Sequence, residues 1–231
     1  LLRLWLSPAF ASPFEPGSKP CGFAAILARM THWLQPLTSA ALKLMGWRVE
    51  GPLPVSPKCV AVVYPHTSNW DGPIGLSAGY AHRVLGGECP HGFMIKIEWT
   101  RGFFGPLVRA LGGIGIDRSI STNAVEQMAA IFASRERLLL AITPEGTRKY
   151  RGFWRTGFYQ IALRANVPIV LASLDYRQKL ARIGPELWLT GDVAADLDRV
   201  RQFYEGVQGK VPANQAPIRF RDQRLTDSPE G

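Results

Sequence analysis

His66 and Asp71 are the first residues whose types and spacing could move a proton: a His-X4-Asp pair inside Pro65-His66-Thr67-Ser68-Asn69-Trp70-Asp71-Gly72-Pro73. An imidazole with an ordinary pKa near ~6.5 is largely neutral at pH 7. A carboxylate bonded to one ring nitrogen would fix the tautomer and leave the other nitrogen as a base. Such a pair needs no nucleophilic Ser or Cys when the substrate brings its own hydroxyl. On a regular helix five residues turn a side chain by about 140°, so the two groups meet only if this segment curls as a loop. In the plainer reading, Asp71 caps a helix that starts near Gly72, with Pro73 in its first turn, and His66 is an ordinary loop histidine.

Two more segments carry an acid and an arginine: Gly112-Gly113-Ile114-Gly115-Ile116-Asp117-Arg118-Ser119 and Thr143-Pro144-Glu145-Gly146-Thr147-Arg148. Each follows an apolar run, which is where α/β sheets place ligand sites. Arg118 and Arg148 suit a phosphate or other anionic head group, because a guanidinium is a planar fork of donors that stays charged. Glu145 beside an arginine reads as a group that orients it rather than one that transfers a proton. Gly146 fits either a positive φ and close backbone approach or a plain turn. Lys149, Arg151 and Arg155 add positive field or are solvated surface charges.

The elements that must position these loops are legible as an alternation. Cys59–Tyr64 is a short, β-branched apolar run and reads as a buried strand feeding the His66 loop. Similar strands are expected at Phe93–Ile97, Ile114–Ile116, Leu138–Ile142, Pro168–Leu174 and Leu187–Leu189. Helices are expected near 72–85, 103–111, 124–135, 157–165 and 193–205, and the alternation argues for an α/β sheet with helices on its faces. Helix 124–135 carries a capping-box-like Asn123 and Glu126 and an apolar stripe of Val125, Met128, Ala129 and Phe132. Before the sheet, Phe23–Trp47 has helical apolar spacing, with Pro36 set to kink or divide it. It reads as an amphipathic helix on the domain's own core, or as one in a membrane interface given Trp33, Trp47, Arg29 and Arg48. Residues 206–231 read as a loosely ordered tail.

Composition narrows the classes. A chain of 231 residues with 46% hydrophobic and 19% charged residues is too apolar for disorder and fits one core. The 27 Lys+Arg against 18 Asp+Glu give a net charge of +9, which favours nucleic acid, acidic lipid or a phosphorylated substrate as partner. Nucleic acid is not expected, since the arginines gather on no single helix and no binding motif is present. Cys21, Cys59 and Cys89 match neither a disulfide framework nor a zinc ribbon, and a reduced compartment is the default. No stretch reaches the ~18 apolar residues of a spanning helix. Residues 1–20 read as a tail rather than a secretory leader, because the apolar run Leu1–Leu6 is short and only Arg3 supplies charge. A metal-dependent hydrolase built from His66, Asp71, Asp117 and Glu145 remains an alternative, although His82 and His91 lack ligand-like spacing with these residues.

Taken together the segments resemble the phospholipid and glycerol acyltransferases that include the lysophosphatidic acid acyltransferases. His66-Thr-Ser-Asn-Trp-Asp71 matches the HX4D block of that family, Gly113-Ile-Gly-Ile-Asp-Arg118 the second, Pro144-Glu-Gly-Thr-Arg148 the third and Val167-Pro168-Ile169-Val170 the fourth. The blocks stand in order over about residues 45–200. HTSNWD and Phe153-Trp154-Arg155-Thr156-Gly157-Phe158-Tyr159 look like a compact bacterial branch. Pro65, Thr143 and Leu171-Ala172 depart from the usual pattern at sites expected to border the pocket, which leaves the acceptor open. The resemblance implies a single α/β domain over 51–205, with a central mixed, largely parallel sheet flanked by helices. An amphipathic membrane-interface helix region over 21–50 would precede it. It implies His66 and Asp71 as catalytic residues and Arg118, Glu145, Gly146, Thr147 and Arg148 as substrate-binding ones. No cofactor or metal is expected. Acyl-CoA or acyl carrier protein would be the donor, a lysolipid the acceptor, and an anionic membrane surface on the cytoplasmic face the place of peripheral work.

Overall fold

The computed structural model describes residues 35–85, 91–101, 105–110, 112–116 and 121–221. Cys59–Tyr64 lies in β2 (Lys58–Tyr64), the strand that every other part of the fold is arranged around. It pairs in parallel with β5 (Leu138–Ile142) on one side and β6 (Ile169–Asp175) on the other. The sheet continues from β5 to β3 (His91–Lys96) and β4 (Gly113–Ile116), both parallel, and from β6 to β7 (Leu180–Leu187), antiparallel, with β1 (Arg48–Glu50) at that edge. The seven-stranded order is β1-β7-β6-β2-β5-β3-β4. The expectation of a mixed, largely parallel sheet in one α/β domain holds.

The central strands are buried on both sides, which is why they read as continuous apolar runs rather than as alternations. One face sends Val60, Val62, Tyr64, Leu138, Leu140, Ile142, Ile169 and Leu171 into the main core. There they meet Met128 and Phe132 of α5 (Ser121–Ser134), Phe158 and Ile161 of α6 (Gly157–Ala165), and Leu197 and Val200 of α7 (Val193–Tyr204). The other face packs Leu174 and Ala181 on Ile74 and Ala78 of α2 (Asp71–Ala81), and on Leu42 and Trp47. Two short helices, α3 (Ile97–Arg101) and α4 (Gly105–Ala110), connect β3 to β4.

Several expectations need correction. The last strand is Leu180–Leu187 and not Leu187–Leu189, because its polar and Gly-Pro positions mask a strand that is only half buried. The strand Arg48–Glu50 is too short to register in any periodicity. Helix α5 begins at Ser121, so Asn123 lies inside its first turn and does not cap it. Leu171 belongs to the core. The N-terminal amphipathic segment lies outside the described residues up to position 34; from there 35–44 is helical (α1), with Pro36 inside that stretch. Gly46, at φ +78°, ends the helix, and Trp47, expected at an interface, is instead buried.

The expected loose tail is packed over residues 206–221. Val207, Ala216 and Phe220 enter the main core, and Trp154, itself fully buried, donates its amide to the Arg219 carbonyl. A Gly-, Pro- and polar-rich stretch reads as loose, yet here buried side chains and carbonyls take up its backbone groups.

Candidate active site

The carboxyl ends of β2, β5 and β6 lie side by side at one edge of the sheet, since the three strands run parallel in neighbouring positions. The His66 loop leaves β2, the Glu145 loop leaves β5 and Tyr176 follows β6. This edge is where an open α/β sheet presents ligand sites. Strand β4 ends at the same edge with Ile116; Asp117 and Arg118 lie outside the described residues.

The His66 loop does curl. Asp71, the first residue of α2, turns its carboxylate back rather than onto the helix: Oδ2 accepts the amides of Thr67 at 2.7 Å and Ser68 at 2.8 Å. This brings His66 Nδ1 to 3.3 Å from the same oxygen. Oδ1 accepts the hydroxyl of Tyr176 at 2.7 Å. Asp71 is therefore not the helix cap of the plainer reading. Burial works to raise its pKa, but the bonds from His66, Tyr176, Ser68 and Thr67 outweigh it and hold the carboxyl below its ordinary value. The carboxylate stays charged beside a His side chain that is 23% exposed, an arrangement that favours the tautomer with its hydrogen on Nδ1.

Glu145, expected to orient the neighbouring arginine, holds two backbone amides instead. Its side chain is buried, Oε2 accepting the amide of His66 and Oε1 the amide of Ala216 at 2.9 Å. It ties the β5 loop to the His66 loop and to the C-terminal segment, so it positions the histidine backbone. Burial, only partly offset by those two amides and by the nearby His66, pushes its pKa up to about 7. Because the folded value lies above the ordinary 4.5, the folded state holds this proton more tightly than the unfolded chain. The resulting stabilisation is full below about pH 4.5 and is lost as the pH rises through about 7, a change of roughly 3 kcal/mol. The Glu145→Gln variant, whose amide turns an N–H toward one backbone donor, should be less stable at every pH. Its melting temperature should vary less than the wild-type one between about pH 5 and about pH 8. Parallel wild-type and variant curves in a melting series would show that Glu145 does not titrate there.

Gly146 has φ +64°, a backbone conformation that favours glycine, while a Cβ there would only push aside the exposed Arg155 side chain, whose Nε lies 2.8 Å away. Thr147 closes the turn, its hydroxyl accepting the Lys149 amide at 3.3 Å. Arg148 is exposed and makes no hydrogen bond or ion pair with any described residue, which leaves its guanidinium available.

Residues 206–216 run along the loop as a strap that sequence reasoning missed. Thr67 Oγ1 accepts the Val211 amide at 3.2 Å, and a Cβ on Gly209 would meet that oxygen at 2.7 Å. The Ala216 carbonyl accepts the Tyr64 hydroxyl at 2.8 Å, and Gln215 Nε2 donates to the same hydroxyl oxygen at 3.0 Å. Lys210 sets its ammonium 4.9 Å from the ring centre of Trp70, inside the HX4D block. Among the described residues no three His, Cys, Asp or Glu converge as metal ligands. The oxygens of Asp71 and Glu145 are already engaged by hydroxyl and amide donors.

A buried carboxylate beside an imidazole at the carboxyl edge of a parallel sheet is chemically able to draw a proton from a hydroxyl bound there. The family model described as Acyltransferase matches residues 25–174, and this chain belongs to the acyltransferase family. No curated protein matches the sequence. Among solved structures, the 1-acyl-sn-glycerophosphate (LPA) acyltransferase PlsC from Thermotoga maritima shares the fold, with a TM-score of 0.51. The match covers 80% of this chain and 84% of that one, at 15% identity.

Proposed function

We propose that the protein moves a fatty acyl group from an acyl thioester, on CoA or acyl carrier protein, to the hydroxyl of a lysophospholipid-like acceptor such as 1-acylglycerol 3-phosphate. The observation that carries this reading is the 3.3 Å approach of His66 Nδ1 to a buried, charged Asp71. His66 Nε2 takes the proton of the acceptor hydroxyl as its oxygen bonds to the thioester carbonyl carbon. The tetrahedral intermediate then collapses, the C–S bond breaks, and the leaving thiolate takes the proton from the imidazolium. A thioester is already activated, so the protein supplies mainly a positioned base and a bound acceptor. Arg148, and Arg118 by its motif, would hold the acceptor phosphate.

Membrane attachment in this reading is peripheral and on the cytoplasmic face. Among the described residues no helix is long and apolar enough to cross a bilayer. The helix over 35–44 buries Leu42 yet leaves Leu37 at 65% and Leu44 at 91% exposure, an apolar side free for lipid.

The test is release of free thiol from acyl-CoA or acyl carrier protein, with 1-acylglycerol 3-phosphate presented in anionic vesicles. Turnover requiring both substrates supports the reading, and thioester hydrolysis indifferent to the acceptor overturns it. Arg148→Ala should raise KM for the phosphorylated acceptor about tenfold or more while changing KM little for an uncharged monoacylglycerol. Equal losses on both acceptors would make Arg148 a structural residue. The protein should float with these vesicles at low salt and partly release as salt is raised.

A further inference from the structure

Asp71 has two oxygens to satisfy in a side chain that is only 2% exposed. Oδ2 is served by the Thr67 and Ser68 amides and by His66. Oδ1 is served by the Tyr176 hydroxyl, a donor 105 residues further along the chain. Tyr176 is itself held at two more points. Its amide donates to the Gln208 carbonyl at 2.9 Å, and its ring packs edge-on to Trp47, with centroids 5.0 Å apart at 90°. Trp47 is fixed in turn, its amide donating to the Leu42 carbonyl at 2.8 Å at the end of the helix over 35–44.

We infer that Tyr176 is a positioning residue for acyl transfer, fixing the plane and charge of Asp71 against His66, and that Trp47 holds Tyr176 in register for this task. The inference rests on the proposed role of His66 and deepens it. A buried carboxylate that loses one donor keeps its charge less well compensated and is freer to turn. That charge then stabilises the imidazolium more strongly, so the His66 pKa rises and a smaller fraction is present as base at a given pH. Among the described residues, two other charged or titratable groups stand near the pair. They are Glu145 from the β5 loop, which acts electrostatically on both, and Lys210 from the strap, above Trp70. Neither contacts Tyr176 Oη, so removing that one oxygen changes the pair through Asp71.

The experiment uses Tyr176→Phe, which keeps the ring against Trp47 and removes only the hydroxyl. The His66 imidazole is followed by NMR titration of the ring nitrogens, with the His66→Ala spectrum assigning its signal among the four histidines. The expected result is a His66 pKa raised by about half a unit or more. In the thiol-release assay kcat should fall about tenfold at neutral pH, with KM nearly unchanged and the acid limb of the rate profile moved to higher pH. Trp47→Leu, which leaves the phenol but removes its aromatic support, should shift the titration the same way by less. A His66 titration that superimposes on wild type in Tyr176→Phe overturns the inference, even if melting temperature falls. Should His66→Ala retain full turnover, the acyl-transfer role of His66 falls instead, while the titration still decides whether Tyr176 is coupled to it.

Discussion

Replacing His66 with alanine is expected to lower kcat for acyl transfer by about 10²–10⁴-fold and to leave the melting temperature close to wild type. On the proposed mechanism, the rate loss follows from removing the base that takes the hydroxyl proton. The stability is spared because the side chain is partly exposed at a sheet edge, while the bonds that shape its loop run through backbone: the His66 amide to Glu145, and the Thr67 and Ser68 amides to Asp71. Alanine keeps all three. Turnover near wild type, measured with both substrates present, would remove His66 from the mechanism. A collapse in melting temperature would show that the imidazole is part of the loop's packing.

Asp71→Asn should cost about 10²–10³-fold in kcat, and its signature differs from that of any change at Tyr176. If the amide oxygen takes the place of Oδ2, it still accepts from Thr67, Ser68 and His66, and the new N–H₂ meets Tyr176, whose hydroxyl can rotate to accept. The loop then persists, but the negative charge that stabilises the imidazolium is gone. The His66 pKa should fall, and the acid limb of kcat/KM should move to lower pH as the plateau drops. A variant that loses thermal stability yet keeps its rate would show that the carboxylate serves only to tie the loop together.

The pairing of His66 with Asp71 was legible because it is local and chemical: two residue types five apart, in a turn-forming stretch after an apolar strand. The curl that joins them depends on Asp71 drawing in the Thr67 and Ser68 amides, and backbone donors leave no mark in a sequence. The same limit hid the part Glu145 plays. Its identity stood out, but its partners are the amides of residues 66 and 216, so the adjacent arginine looked like its natural companion. Tyr176 was missed for a different reason. It follows a strand that reads only as core, and its partner is far away in the chain. What pointed to it was positional: the residue just past a parallel strand neighbouring β2 must lie at the same edge as the His66 loop. The parallel centre of the sheet announced itself through uninterrupted apolar runs, while β1 and β7 carry too few buried residues to do so.

On the proposed reaction, the strap would make competence a late event in the life of each molecule. A chain made from its N-terminus presents the β2 strand early, with His66 and Asp71 directly after it. The groups that hold that loop are synthesised afterwards, in the order Glu145, Tyr176, Val211, Ala216. Until the last of these has left the ribosome, the nascent polypeptide owns the whole motif without owning the geometry, because its second anchor for Glu145 does not yet exist. On the proposed reaction, a chain that stops short of Ala216 would carry the whole motif yet lack part of the frame that holds its base, so the motif alone would not mark a competent molecule.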